Sequence, residues 1–209
     1  LICASNENKV LFDFFRTGTY DRNREFILTN SPSMDILISS NLERLIFRLT
    51  DNNAEETARL MGALKSEGKY TITDAMREKI TDFYGNYASE EEDKEVIRRI
   101  FDKEKYVLDT HTAVAVSVYE KYKSETGDET LTVVDSTASP YKFTQSVMEA
   151  ITGHSEDGRD PFELVDELNR LSGMYIPKAI EEIRTAPILH TKECDADKMK
   201  ECVGDILGL

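Results

Sequence analysis

Two hydrophobic spacings follow one another in the first eighteen residues. Ile2, Cys3 and Ala4 form an unbroken apolar run that ends in Ser5-Asn6-Glu7-Asn8, the pattern of a buried strand. Val10, Leu11, Phe14 and Phe15 then recur at helical spacing, and Gly18 supplies the stop. Together they read as a strand-to-helix unit of a parallel sheet. Residues 20 to 36 are irregular, and Ser31-Pro32-Ser33 opens the next segment. From about 40 to 105 the spacing is helical almost throughout. Leu60, Met61 and Leu64 share one face; Met76, Ile80, Phe83, Tyr84 and Tyr87 share another; Val96, Ile97, Ile100 and Phe101 a third. Glu90-Glu91-Glu92-Asp93 reads as the negative first turn of a helix.

Asp109 caps a helix that is apolar nearly all round (Ala113, Val114, Ala115, Val116, Val118, Tyr119), and Gly127 ends it. Leu131, Val133 and Val134 then predict a buried strand closing at Asp135, followed by Ser136-Thr137-Ala138-Ser139-Pro140. Asp160-Pro161 opens another helix, and the last runs from about Asp195 to Leu207. The strands are few. Leu1–Ser5 and Leu131–Asp135 are strong, Tyr70–Ile72 and Pro187–His190 weak, where a sheet has about five or six. The expectation is an α/β chain of few parallel strands flanked by many helices, with part of the sheet upstream of Leu1. It divides into a strand-helix unit (1–36), a mostly helical insertion (37–106) and a return to the α/β core (107–209).

Charge narrows the partners. Forty acidic residues against 26 basic give a net charge of −14, which argues against a general nucleic-acid or anionic-membrane surface. No apolar run reaches the roughly 18 residues of a membrane span, and the opening Leu-Ile-Cys-Ala-Ser has neither a signal peptide's length nor an initiator Met. A processed or partial cytoplasmic chain is the reading. Cys3, Cys194 and Cys202 show no paired spacing and are expected as buried, reduced thiols. His111, His154 and His190 lie too far apart for metal-ligand spacing.

In open parallel sheets, ligands sit beyond the carboxyl ends of the strands. Two predicted strands here end in small polar residues, Ser5-Asn6 and Ser136-Thr137-Ala138-Ser139. A hydroxyl at such a place suits a neutral ring nitrogen. Equally, Ser139 can cap the helix opened by Pro140, Ser136 can make a turn, and Asn6 can form an Asx turn.

STASPYKF (136–143), DTHTAVA (109–115), ASNENKVLFDFF (4–15) with Gly18, YDRN (20–23) and SPSMDILISSNLERL (31–45), in that arrangement, resemble threonine synthase; so do IPKAIEEI and APILHT near the end. This is a pyridoxal-phosphate enzyme family of fold type II, the tryptophan-synthase-like group. The resemblance spans essentially the whole chain and implies the C-terminal portion of such an enzyme. It implies conversion of O-phospho-L-homoserine and water to L-threonine and phosphate. The Schiff-base lysine and the Gly-rich phosphate loop are then expected in a missing N-terminal half of the same protein. Lys142 is not that lysine. It is either a surface group at a helix start or a substrate-side cation.

By position in the resemblance, Thr137 is the hydroxyl that contacts the pyridine nitrogen, with Ser136 and Ser139 as neighbouring alternatives. Asn6 faces the cofactor crevice. Ser31, Ser33, Met34 and Asp35 border the substrate side. Asp109 caps its helix, and His111 is either packed or a proton-transfer group. Lys9 departs from the acidic residue the family often has there. Two alternatives stay open: a related phospholyase of different substrate, and a non-catalytic helical interaction module.

Overall fold

The strand Ile2–Ser5 (β1) forms as expected, but its neighbour comes from the stretch expected to be helical. Tyr84–Tyr87 is a strand (β4) that runs parallel to β1, with Ile2 opposite Tyr84 and Ser5 opposite Tyr87. The helix Asp74–Glu78 (α4) stops early, with Met76 and Ile80 buried, and Tyr84 and Tyr87 leave its face. Gly85 explains the change. It is a poor helix residue, and a Cβ there would lie 2.9 Å from the Cβ of Phe15, so α1 (Val10–Thr17) packs onto bare backbone.

Two cores flank this sheet. On one side Val10 and Phe14 of α1 meet a two-stranded antiparallel ribbon, Thr19–Asp21 (β2) with Lys69–Thr71 (β3). Tyr20 and Tyr70 face each other in register, their rings stacked at 5.5 Å. Leu42, Ile46 and Leu49 of α2 (Leu42–Leu49) and Leu60 and Leu64 of α3 (Ala54–Glu67) close this core. Gly18 turns the chain from α1 into β2 at φ +75°, its N–H on the Phe14 carbonyl. The residues from 37 to 106 therefore contribute both helices and two strands, each paired to a strand from the first 21 residues.

The second core lies between the β1–β4 sheet and α6 (Thr110–Thr126): Ala88, Val114 and Val118, joined by Ile2, Ala4, Met34 and Tyr84. α5 (Glu90–Glu104) carries the expected acidic first turn, with Ser89 and Glu92 forming a reciprocal capping box. It packs on α6 and on α7 (Thr144–Thr152), which in turn packs on α8 (Pro161–Ser172), capped by Asp160.

Leu131–Asp135 is not a strand. The segment is irregular, and Leu131 and Val133 are 94% and 84% exposed. An apolar extended run hides itself by pairing, and no strand of the chain pairs with this one: β1 bonds only to β4, and β2 only to β3. A cleft of ≈ 750 Å³ separates it from Leu1, Ile2 and Tyr84. Exposed apolar side chains beside the free edge of a two-stranded sheet predict self-association. Light scattering should show mass rising with concentration for this chain, and L131K/V133K should suppress the rise. A mass constant to high concentration would rule the association out.

The computed structural model describes all 209 residues, in two compact units, Leu1–Tyr175 and Ile176–Leu209. The second contains α9 (Lys178–Arg184) and α10 (Met199–Leu207). Pro187–His190 forms no strand there. The apolar stripe of α10 forms, but Met199, Val203 and Ile206 are exposed. Cys194 is exposed as well, contrary to expectation, and Cys202 is half-buried. Cys3 is also half-buried, and desolvation by the surrounding protein pushes its thiol up to about 11. No helix is long and apolar enough to cross a membrane.

Candidate functional site

Beyond the carboxyl end of β1 the chain makes a tight polar knot. Asn6 is 2% exposed, and its side-chain oxygen accepts the Asn8 N–H at 3.1 Å, an Asx turn that starts the path into α1. Its amide nitrogen donates to Asp35 at 2.7 Å and to Thr29 at 2.9 Å, with Ser31 Oγ at 3.2 Å. Asp35 is the hub. Its Oδ1 accepts from Asn6, from Asn8 at 3.1 Å and from the Thr29 hydroxyl at 2.7 Å, while Oδ2 accepts the Thr29 N–H at 2.9 Å. Asn6, expected at the cofactor crevice, and Ser31 and Asp35, expected on the substrate side, are brought together. Their polar atoms bond to one another and to Asn8 and Thr29, which the sequence reading missed.

The 31–35 segment is tied to the start of α6. The Ser33 N–H donates to His111 Nε2 at 3.0 Å. That bond assigns the tautomer: Nε2 is bare, and Nδ1 carries the proton, 3.3 Å from Asp109 Oδ1 and 3.3 Å from Thr110 Oγ1. His111 is 4% exposed, with the Phe143 ring 4.7 Å away. It is packed, and both ring nitrogens are engaged.

Asp109 caps α6 as expected. Its Oδ1 accepts the N–H of His111 at 2.9 Å and of Thr112 at 3.3 Å, and its Oδ2 accepts the Thr112 hydroxyl. Burial alone would raise this carboxyl, but hydrogen bonds from His111, Thr112 and the two amides outweigh it and hold Asp109 below the usual carboxylate range. Thr112 Oγ1 also lies 2.9 Å from Ser136 Oγ, so the helix start reaches the hydroxyl cluster. Thr112 escaped the sequence reading, although its place, three residues after a capping Asp, was the available signal.

Within the cluster the three hydroxyls differ. Ser136 is held by Thr112. Ser139 caps the short 3-10 turn Pro140–Lys142, accepting the Tyr141 N–H at 3.3 Å. Thr137 is exposed, and its hydroxyl makes no hydrogen bond. Lys142 is exposed on that turn, its ammonium 6.0 Å from the Phe143 ring centre and in no ion pair. Three segments distant in sequence, 31–35, 109–112 and 136–143, thus meet through Ser33–His111, Thr112–Ser136 and His111–Phe143. Lys9, the departure noted above, has its ammonium over the Tyr87 ring at 4.6 Å, at the end of β4.

The family model for threonine synthase, C-terminal, matches residues 112–188. Human threonine synthase-like 1 is 33% identical over 98% of this chain and 26% of its own length. Threonine synthase of Saccharomyces cerevisiae is 34% identical over 96% of this chain and 42% of its own. The chain therefore spans about a quarter to two-fifths of the length of these relatives. The crystal structure of yeast threonine synthase covers 100% of this chain and 42% of that one, with a TM-score of 0.80 and 29% identity. The crystal structure of PLP-bound threonine synthase from Brucella melitensis covers 82% of this chain and 40% of that one, with a TM-score of 0.65 and 28% identity. In sequence and in backbone alike, this helix-rich chain with its few strands corresponds to the C-terminal portion of threonine synthases.

Proposed function

We propose that this chain forms one wall of a pyridoxal 5'-phosphate site in a protein that converts O-phospho-L-homoserine and water to L-threonine and phosphate. One observation carries the reading: in a cluster whose other two hydroxyls are engaged, the Thr137 hydroxyl is exposed and uncommitted. The likeness to a PLP-bound threonine synthase supports it. When bound, the cofactor supplies the electron sink for proton removal and phosphate loss. The residues present fit the ring-nitrogen end of that group: Thr137 would hold the nitrogen with a neutral donor. A carboxylate there would favour the protonated ring. The glycines of this chain sit singly at helix ends, inside elements or, for Gly158, in a turn, and form no cluster, so the phosphate cradle, like the Schiff-base lysine, is assigned to residues outside these 209.

The other residues act on the wall itself. Asn6, Ser31 and Asp35 hold the loops beyond β1 in one shape. Ser33, fixed through its backbone to His111, has its hydroxyl left for substrate, and Lys142 offers an unpaired cation to the anionic substrate. In the intact protein, Thr137→Ala should lower turnover by roughly three- to tenfold, the worth of one neutral hydrogen bond, and shift the cofactor absorbance. Thr137→Ser should stay near wild type. Phosphate release from O-phosphohomoserine, with threonine detected alongside, is the assay. Wild-type turnover and absorbance in Thr137→Ala would end the assignment, and phosphate release without threonine would move the protein to another phospholyase reaction.

A further inference from the structure

The hydrogen bonds around Asp109 have a direction. A carboxylate only accepts, and four contacts converge on this one: two N–H groups, the Thr112 hydroxyl and the His111 Nδ1–H. Thr112 has one hydroxyl proton, and the bond to Asp109 Oδ2 uses it. Toward Ser136, 2.9 Å away, Thr112 can therefore offer only a lone pair, so the Ser136 hydroxyl is the donor in that contact. Its proton points back into the start of α6. What remains on Ser136 is acceptor capacity, which a bare ring nitrogen cannot use. Thr137, the next residue, keeps its proton free. The held carboxyl of Asp109, buried at 1% exposure, keeps the direction fixed.

We propose that Thr112 is a positioning residue for the cofactor nitrogen. By accepting the Ser136 proton it anchors the 136–139 turn to α6 and removes Ser136 as a competing donor, leaving Thr137 as the group presented to the ring. The inference rests on the reading of Thr137 given above. It adds a residue that touches neither cofactor nor substrate.

The test uses the intact, cofactor-loaded protein and reads the cofactor's absorbance and its dissociation constant, together with KM and kcat. Thr112→Val removes the hydroxyl at nearly constant shape. It should weaken cofactor binding about three- to tenfold and move the absorbance in the same sense as Thr137→Ala. Thr112→Ser should restore both. In a Thr137→Ala background, Thr112→Val should add nothing to the spectral change, because both act on one contact. Ser136→Ala cuts the same link from the exposed side and serves if Thr112→Val does not fold. It should loosen cofactor binding without changing the melting temperature by more than a few degrees. A silent Thr137→Ala removes the cofactor reading and this inference with it. A Thr137→Ala effect accompanied by silent or strictly additive Thr112→Val and Ser136→Ala overturns the positioning role alone.

Discussion

Asp93→Asn should stabilise the chain at alkaline pH and remove most of its loss of stability between pH 5 and 9. Asp93 lies in the first turn of α5, where the helix dipole favours a carboxylate, but it is only 1% exposed. Its Oδ1 is buried without a hydrogen-bond partner. Burial is the largest influence, and the charges of Glu92 and Glu90 add to it; Lys121 opposes them, Glu7 reinforces them, and the carboxyl is pushed up to about 8. The sign follows from proton binding. Between the ordinary carboxylate value and about pH 8 the folded chain holds a proton that the unfolded chain has released, so stability falls as pH rises. The contribution is fully present below about pH 4 and gone above about pH 8. At about 1.4 kcal/mol per pH unit, the span is worth on the order of 5 kcal/mol. Asparagine fills the same space and cannot ionise. Its amide also places a donor among carboxylates that repel Asp93. Denaturant unfolding at pH 5, 7 and 9 checks this: the wild-type curve should fall by several kcal/mol more than the variant's. Parallel pH dependences would show that Asp93 ionises freely.

How much of this was legible in the sequence depends on whether an element's signal was local. The α1 pattern, the Asp109, Ser139 and Asp160 caps, and the glycine stops at Gly18 and Gly127 are written within a few residues, and each formed where expected. β4 was missed because Tyr84 and Tyr87 continue a helical spacing from Met76. What decides otherwise is the close approach of Phe15 at Gly85, a contact across 70 residues. Leu131–Asp135 failed in the opposite sense: its strand pattern is strong, but a strand needs a partner, and no strand of the chain pairs with this run. Ser31, Ser33 and Asp35 could be named from their block, and so could His111, but the bond joining Ser33 to His111 spans 78 residues. Thr112 and Asn8 lie inside the quoted blocks, Thr112 at a capping position, but nothing local singles out their partners, Ser136 and Asp35. Their importance lies in what they touch.

His111→Ala should cost about 2–4 kcal/mol of stability, and His111→Gln clearly less, with no change in the pH dependence of turnover in the intact protein. The imidazole fills space against Phe143, so its removal opens a cavity. It also deprives the Ser33 N–H of its acceptor and Asp109 of one donor, and unmet groups of this kind cost about 1–3 kcal/mol each when buried. The Ser33 group lies near solvent, so water recovers part of its share. Glutamine matters because its side-chain oxygen reaches about where Nε2 sits. It can accept the Ser33 N–H, but it cannot carry a proton between groups. A packed strut and a proton carrier therefore predict opposite results for one variant. If His111 is a strut, His111→Gln folds with a melting temperature between those of wild type and His111→Ala, and turnover follows the amount of folded protein. If it carries protons, His111→Gln folds equally well but loses one limb of the pH–rate profile along with its activity. The Ser33 bond to Nε2 and the contact of Nδ1 with Asp109 leave neither nitrogen free for substrate, and so favour the strut. Loss of the limb at retained stability would mean that the Ser33 bond opens during turnover.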